Sequence, residues 1–98
     1  MIEKRRSRRT VSEIPLEVRV VERHRIALTA VINRHGALIL SPIPWAAGTQ
    51  LEITNQRTGA MTNGRVVWCG GEDAPGSFRM GIEFDAVASE FWGDDYGG

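Results

Sequence analysis

Apolar and polar residues alternate over three stretches of the chain. Residues 16–20 (LEVRV), 49–54 (TQLEIT) and 78–84 (FRMGIEF) place apolar side chains at every second position. A period of two is typical of a β-strand that buries one of its faces. We therefore expect three strands here, each with its apolar face in the core. The side chains expected to point inward are Leu16, Val18, Val20, Leu51, Ile53, Met80, Ile82 and Phe84.

Three further stretches have the composition of strands without strict alternation. Residues 25–33 (RIALTAVIN) are rich in β-branched side chains, and residues 36–40 (GALIL) form a short apolar run. Residues 60–68 (AMTNGRVVW) follow the strand at 49–54 after a polar, glycine-containing turn, so these two stretches are expected to form a hairpin. Six short strands at this spacing indicate an all-β fold, either a small antiparallel barrel or a sandwich.

The remaining segments are predicted to be turns and one short helix. Residues 69–77 (CGGEDAPGS) are expected to form a long polar turn, because glycine, proline and aspartate interrupt regular structure. Residues 86–92 (AVASEFW) have helical spacing, with Val87 and Phe91 on the apolar side. The pattern therefore predicts a short C-terminal helix after the last strand.

Three large side chains are assigned to core or surface by their neighbours in the sequence. Val31 lies within an apolar, β-branched run, and Trp68 ends another, so both are expected in the core. Trp45 lies in the proline-rich stretch 41–48 (SPIPWAAG) and is expected to be exposed, where it is free to contact a partner.

The charge of the chain is balanced overall but concentrated at its ends. Twelve basic residues are matched by twelve acidic ones, yet residues 1–10 carry five basic side chains and a single acidic one. Residues 85–98 carry acidic side chains and no basic group. We expect a flexible basic segment at 1–10, a barrel at 11–86, and a short helix with an acidic flexible tail at 87–98.

Composition argues against insertion into a membrane and against a disulfide. The apolar stretch at 37–47 is interrupted by prolines and is shorter than the roughly 20 residues that a spanning helix needs. The basic start is not followed by the apolar region of a signal peptide. One cysteine, Cys69, excludes an internal disulfide. A cytoplasmic location is the expectation that follows.

Catalytic and metal-binding patterns are absent from the sequence. His24 and His35 are eleven residues apart and belong to no ligand motif, and no second cysteine accompanies Cys69. The glycine-rich stretch 69–77 lacks the lysine and serine or threonine of a phosphate-binding loop. We therefore expect neither an enzyme nor a metal or cofactor site.

The order of four short motifs resembles the PilZ domain family, and the resemblance covers most of the chain. RRSRR (5–9) supplies the family's RxxxR pattern, and it precedes GALI (36–39), GRVVW (64–68) and RMGIEF (79–84) in the family's order. RxxxR alone is a weak pattern, and its position relative to the other three makes the match specific. The resemblance implies a six-stranded antiparallel PilZ-like β-barrel with a short C-terminal helix.

The resemblance also implies a ligand, because many PilZ domains bind cyclic di-GMP. Arginine suits this ligand, since its planar guanidinium makes bidentate hydrogen bonds with phosphate and with the O6/N7 edge of guanine. The family's pattern carries ligand binding over to three arginines and to two residues of the later turn motif. These residues are Arg5, Arg6, Arg9, Asn33 and Gly36. By themselves, the same arginines also occur in solvated tails, and the same turn residues in ordinary hairpins.

The chain departs from the family's second motif, [D/N]xSxxG. Val31 stands at the position of the aspartate or asparagine that binds the guanine edge in the family, and Asn33 stands at the position of the serine. Two functions therefore stay open. One is a stand-alone PilZ-like receptor that binds cyclic di-GMP and relays it to a protein partner. The other is a degenerate adaptor that acts through protein contacts without nucleotide. Nucleic-acid binding is not expected, because the basic charge is confined to one end.

Overall fold

The computed structural model of the chain describes residues 10–20 and 23–95. Within these ranges, seven strands account for most of the regular structure. They are β1 (Thr10–Val11), β2 (Pro15–Val20), β3 (Arg23–Asn33), β4 (Gly36–Ser41), β5 (Gln50–Asn55), β6 (Met61–Ala74) and β7 (Ser77–Phe84). A short 3-10 helix (Ser89–Asp95) follows β7.

Six of these strands close into a barrel, which confirms the all-β prediction. Every pairing is antiparallel, in the order β3, β2, β5, β6, β7, β4, and the pairing of β4 with β3 closes the ring. Strand β1 pairs with β3 beside the end of β4, on the same edge that β2 uses further along. Strand β3 is therefore the element to which both the N-terminal strands and β4 are attached.

A bulge in β3 decides which of its side chains face outward. Thr29 faces inward and is buried, but the register between β3 and β4 shifts between Thr29 and Val31. After this extra residue Ile32 is the buried one, and Val31 and Asn33 lie on the outer wall. A bulge inserts one residue and so reverses the alternation of side chains beyond it. The prediction that Val31 is a core residue is therefore wrong.

The hydroxyl of Thr29 forms two hydrogen bonds with the backbone that connects β1 to β2. The backbone N–H of Ile14 donates to Thr29 Oγ1 at 2.8 Å, and this hydroxyl in turn donates to the carbonyl of Ser12. Thr29 is only 1% exposed, so water has little access to these groups. Because a buried unpaired peptide group costs free energy, this one hydroxyl stabilises the irregular backbone at residues 12–14.

The core consists of the inward faces that the alternating stretches predicted. All of the expected inward side chains are buried except Val20, which is half-buried near the end of β2. The two tryptophan predictions are wrong in opposite senses. Trp45 is 8% exposed and packs in the core, whereas Trp68 is 44% exposed on the outer wall. The loop at 41–48 places its aromatic side chain in the core cluster, although its prolines and glycine predicted an exposed loop.

Two boundary predictions also need correction. The stretch 69–77 is not a long turn, because β6 and β7 continue as a hairpin to Ala74 and Ser77. The C-terminal helix begins at Ser89 as a 3-10 helix, and Val87 precedes it with 57% of its surface exposed. In the part of the chain that the structure describes, no helix has the length and apolar character needed to cross a membrane.

Replacement of Thr29 with valine tests the role of its hydroxyl. The variant keeps the shape of the side chain but leaves the Ile14 N–H and the Ser12 carbonyl without their partner. We expect the free energy of unfolding to fall by about 1–3 kcal/mol, the cost of leaving buried polar groups unpaired. Urea denaturation followed by circular dichroism measures this change.

The matched control is Thr54→Val on β5, because Thr54 is half-buried and no side-chain hydrogen bond of its hydroxyl is seen among the described residues. This variant is expected to stay within about 0.5 kcal/mol of the parent. Equal losses in the two variants would contradict a specific role for the Thr29 hydroxyl.

Candidate ligand-binding site

A pocket of about 320 Å³ opens on the outer wall of the barrel, across β3, β4, β7 and β6. Its lining residues come from all four strands and from the turn between β3 and β4. The volume lies at the lower end of the range of ligand-binding clefts. Two cross-strand rows of residues build it, one apolar and one polar.

The apolar row forms the floor of the pocket. Val31 pairs with Leu38, Leu38 pairs with Gly81, and Gly81 pairs with Trp68, so the row crosses all four strands. A Cβ atom at Gly81 would lie 2.3 Å from Trp68 Nε1, which means that the indole lies directly over this glycine. The absence of a side chain at Gly81 therefore allows a large aromatic surface to lie against the barrel wall.

The polar row lies next to this floor. Asn33 pairs with Gly36, Gly36 pairs with Glu83, and Glu83 pairs with Arg65. Arg65 Nη2 donates a hydrogen bond to Glu83 Oε1, and both side chains are nearly half exposed. Asparagine, glutamate and arginine together offer donors and acceptors at one end of an apolar surface. A mostly apolar surface with a few polar groups beside it is typical of a small-molecule binding site.

The side-chain carbonyl of Asn33 accepts hydrogen bonds within the turn. Its Oδ1 accepts from the backbone N–H of His35 at 2.7 Å and from that of Gly36 at 3.1 Å. The side-chain carbonyl is therefore used to stabilise the turn, as asparagine commonly does. The amide nitrogen is a pure donor, so the chemistry that Asn33 offers a ligand is donation to a phosphate or carbonyl oxygen.

Gly36 lines the pocket because the backbone of β7 passes very close to it. A Cβ atom at this position would lie 2.0 Å from the carbonyl oxygen of Ile82. Any side chain would force β4 away from β7 and open the wall of the barrel. The structure thus gives Gly36 a packing role in the pocket, alongside the ligand-binding role that the resemblance implies.

The turn that carries Asn33 forms hydrogen bonds with the C-terminal segment, residues 88–92. Trp92 Nε1 donates to the carbonyl of Asn33 at 2.8 Å. The carbonyl of Arg34 accepts from the backbone N–H of Ala88 in the same segment, and that of His35 accepts from the N–H of Phe84 at the end of β7. Trp92 is fully buried and its ring lies edge-on to that of Phe91, so packing in the core positions the indole.

The three arginines predicted to bind ligand, Arg5, Arg6 and Arg9, lie outside the described residues. Their point of attachment is described, because Thr10 pairs with Ile32 on β3 and Val11 pairs with Val31. The basic segment is therefore joined to the barrel at the β3 side of the pocket, next to Asn33.

Sequence reasoning placed two residues of this pocket, Asn33 and Gly36, in the ligand site. The structure brings both together with Val31 and Trp68, which the sequence interpretation assigned to the core, and with Glu83, a polar position of the alternating strand at 78–84. One sequence signal for Trp68 was available, since a glycine in the middle of the alternating strand 78–84 indicates a close approach by another group. No cluster of residues suited to holding a metal ion occurs among the described positions.

Comparison with known proteins identifies the family. A family model described as PilZ domain matches residues 3–90, and no curated protein matches the chain. Among solved structures, the chain is similar to the Bacillus subtilis inhibitor of motility (MotI/DgrA), with a TM-score of 0.70 and 17% sequence identity. That match covers 96% of this chain and 47% of the other, so this chain spans about half its length and shares its fold. Because the family model matches nearly the whole chain, this protein belongs to the PilZ domain family.

Proposed function

We propose that this PilZ domain is a cytoplasmic, non-catalytic receptor that binds cyclic di-GMP and communicates this binding to a protein partner. The observation that carries the proposal is the pocket itself. It gathers Asn33, Gly36 and Trp68 on one stretch of the outer wall, although they come from different parts of the chain. Its apolar floor and polar end suit a purine ring that carries hydrogen-bonding edges.

Trp68 supplies the surface on which a guanine base can stack. Its indole lies over Gly81, with 44% of the residue exposed, and the apolar side chains of Leu38 and Val31 continue the same row. Stacking of a base on an aromatic side chain contributes roughly 1–3 kcal/mol to nucleotide binding. A stacked guanine would present its edges to the polar row beside it.

The basic segment supplies the charge that the two phosphates of the ligand require. The described residues that line the pocket include no arginine or lysine. The positive charge that binds the phosphates must therefore come from the adjacent Arg65 or from residues outside the lining. Arg9 is bonded directly to Thr10 at the edge of the pocket. Arg5 is five residues from Thr10, and an extended chain of that length reaches about 17 Å. Both arginines are therefore within reach of a ligand on this wall.

A second candidate function is favoured by Val31. Its apolar side chain faces the pocket at the position where the family's second motif has aspartate or asparagine. A pocket that lacks this polar group is also compatible with an adaptor that has lost nucleotide and contacts partner proteins through the same wall. Calorimetric titration with cyclic di-GMP distinguishes the two functions, because only the receptor binds the dinucleotide.

The first prediction of the receptor hypothesis concerns the arginines. Arg5→Ala and Arg9→Ala are each expected to weaken binding of cyclic di-GMP by about 1.5–3 kcal/mol, the range for hydrogen bonds to a charged group. Arg6→Ala is expected to have a smaller effect, because Arg5 and Arg9 have the four-residue spacing of the family's pattern. The dissociation constant should also rise with salt concentration, since exposed charges are screened. Isothermal titration calorimetry measures all of these changes.

Arg23→Ala is the matched control for the arginine variants. Arg23 is exposed at the far end of β3, ten residues from Asn33, or about 33 Å along the strand. Its removal changes the net charge equally but should leave the affinity within about twofold of the parent, as a distant screened charge does. Parent-like affinity in both Arg5→Ala and Arg9→Ala would rule out the arginine clamp.

The second prediction restores the family's motif. The double variant Val31→Asp, Asn33→Ser is expected to bind cyclic di-GMP more tightly, by about 1–3 kcal/mol, because a hydrogen bond to a ligand edge is regained. Val31 faces the outer wall, so the carboxylate is not forced into the core. A serine hydroxyl can also accept from the His35 N–H and so maintain the turn. Titration calorimetry and thermal melting are measured together.

The melting temperature separates a failure of binding from a failure of folding. If neither the parent nor a folded double variant binds cyclic di-GMP, the adaptor is favoured over the receptor. A gain in affinity without a loss in melting temperature would support the receptor and show that the departure at Val31 weakens an otherwise intact site.

A further inference from the structure

We propose that Glu83 determines the specificity of the pocket for guanine, by accepting hydrogen bonds from the Watson–Crick edge of the base. This inference rests on the proposed function, since it names the residue by which that site would select its ligand. Among the described residues that line the pocket, Glu83 carries the only carboxylate. Nothing in the sequence pattern of β7 separates it from an ordinary solvent-facing strand residue.

The chemistry of guanine calls for such a group. The Watson–Crick edge of guanine has two adjacent donors, the ring N1–H and the exocyclic N2 amine. An ionised carboxylate has two oxygens that only accept, so it matches a pair of donors in a bidentate arrangement. Adenine presents one donor and one acceptor at this edge, so its N1 lone pair would face a carboxylate oxygen with no hydrogen bond between them. A carboxylate at this edge therefore discriminates between the two purines.

No other side chain of the lining supplies a pair of exposed acceptors, since His35 offers at most one acceptor nitrogen and its Nε2 is buried. Val31 has no polar side-chain atom, and Asn33 Oδ1 already accepts two backbone hydrogen bonds from the turn. The Asn33 amide nitrogen is a donor and cannot accept from N1–H or N2. Glu83 is the side chain of the lining that combines two acceptor atoms with exposure to solvent.

The position of Glu83 relative to Trp68 suits a stacked base. Trp68 pairs with Gly81, and Glu83 is two residues further along β7 on the same outer face. Side chains in such a diagonal relation have Cα atoms roughly 7–8 Å apart, which aromatic and long side chains can bridge. A guanine that stacks on the Trp68 indole therefore has the Glu83 carboxylate within reach of its edge.

Arg65 holds the carboxylate in place. Its Nη2 donates to Glu83 Oε1, and the cross-strand pairing of the two residues keeps this ion pair at the side of the pocket away from Asn33. The ion pair also offsets the negative charge of Glu83, which would otherwise repel the ligand's phosphates. Arginine has donors only, so Arg65 orients the acceptor but cannot replace it.

The structural alternative is that Glu83 only forms a surface ion pair with Arg65. Such exposed pairs contribute little to stability, about 0–1 kcal/mol. Loss of the pair therefore predicts a small change in melting temperature and no change in the choice between two ligands. Base selectivity separates the two roles, since an ion pair with Arg65 does not contact the base.

The experiment compares cyclic di-GMP with its inosine analogue, cyclic di-IMP, which lacks the exocyclic N2 amines. Both are titrated by calorimetry into the parent, Glu83→Gln and Glu52→Gln. Glu52 is the matched control, because it also forms an exposed ion pair, with Arg19, but lies outside this pocket. We expect the parent and Glu52→Gln to prefer cyclic di-GMP by about tenfold or more, as for a hydrogen bond to a charged group.

In Glu83→Gln, affinity for cyclic di-GMP is expected to fall by about tenfold to a hundredfold. The ratio of the dissociation constants of cyclic di-IMP and cyclic di-GMP is expected to approach one. Thermal melting should place all three proteins within a few degrees of one another, as exposed substitutions do. Glu83→Asp, which keeps the charge but shortens the side chain, provides a second variant and should lose part of the preference.

Two negative outcomes have different meanings. If the parent binds cyclic di-GMP and Glu83→Gln binds it with the same affinity and the same preference over cyclic di-IMP, the assignment of Glu83 is overturned and the proposed function stands. If the parent binds neither dinucleotide, the proposed function fails, and the assignment of Glu83 fails with it.

Discussion

The one-residue bulge in β3 is the feature on which the pocket depends. Without it, the alternation set by Thr29 would continue along the strand, and Val31 would point into the core with Asn33. The bulge keeps Ile32 in the core and places Val31 and Asn33 on the outer wall, in the lining of the pocket. Thr29, the inward-facing residue at the start of the bulge, also forms hydrogen bonds through its hydroxyl with the backbone between β1 and β2. A single buried hydroxyl thus stabilises the irregular backbone at residues 12–14, next to the bulge.

Much of the barrel was predictable from the sequence, because alternation of apolar residues reports directly on which face of a strand is buried. The faces at 16–20, 49–54 and 78–84 are buried as expected, with Val20 half-buried at a strand end. The errors occur where burial is decided by distant parts of the chain. Trp45 is buried because its loop places it in the core cluster, and Trp68 is exposed because β6 has a register irregularity between Val66 and Trp68.

The site was only half predictable, for a related reason. Asn33 and Gly36 lie in one turn, so their proximity follows from the sequence itself. Trp68 and Glu83 reach the same pocket through the pairing of β4 with β7 and of β7 with β6. Cross-strand register is set by bulges and by close backbone contacts such as the one at Gly36, and a single sequence does not reveal these.

The hydrogen bonds between the turn and the C-terminal segment give the pocket a thermodynamic link to the end of the domain. The carbonyls of Asn33 and Arg34 accept from Trp92 and Ala88 of this segment. Binding equilibria that share such contacts are reciprocal. An occupant that favours this conformation of the turn therefore favours the docked C-terminal segment by the same free energy. A partner that displaces this segment from the turn must therefore weaken the binding of such a ligand to the pocket.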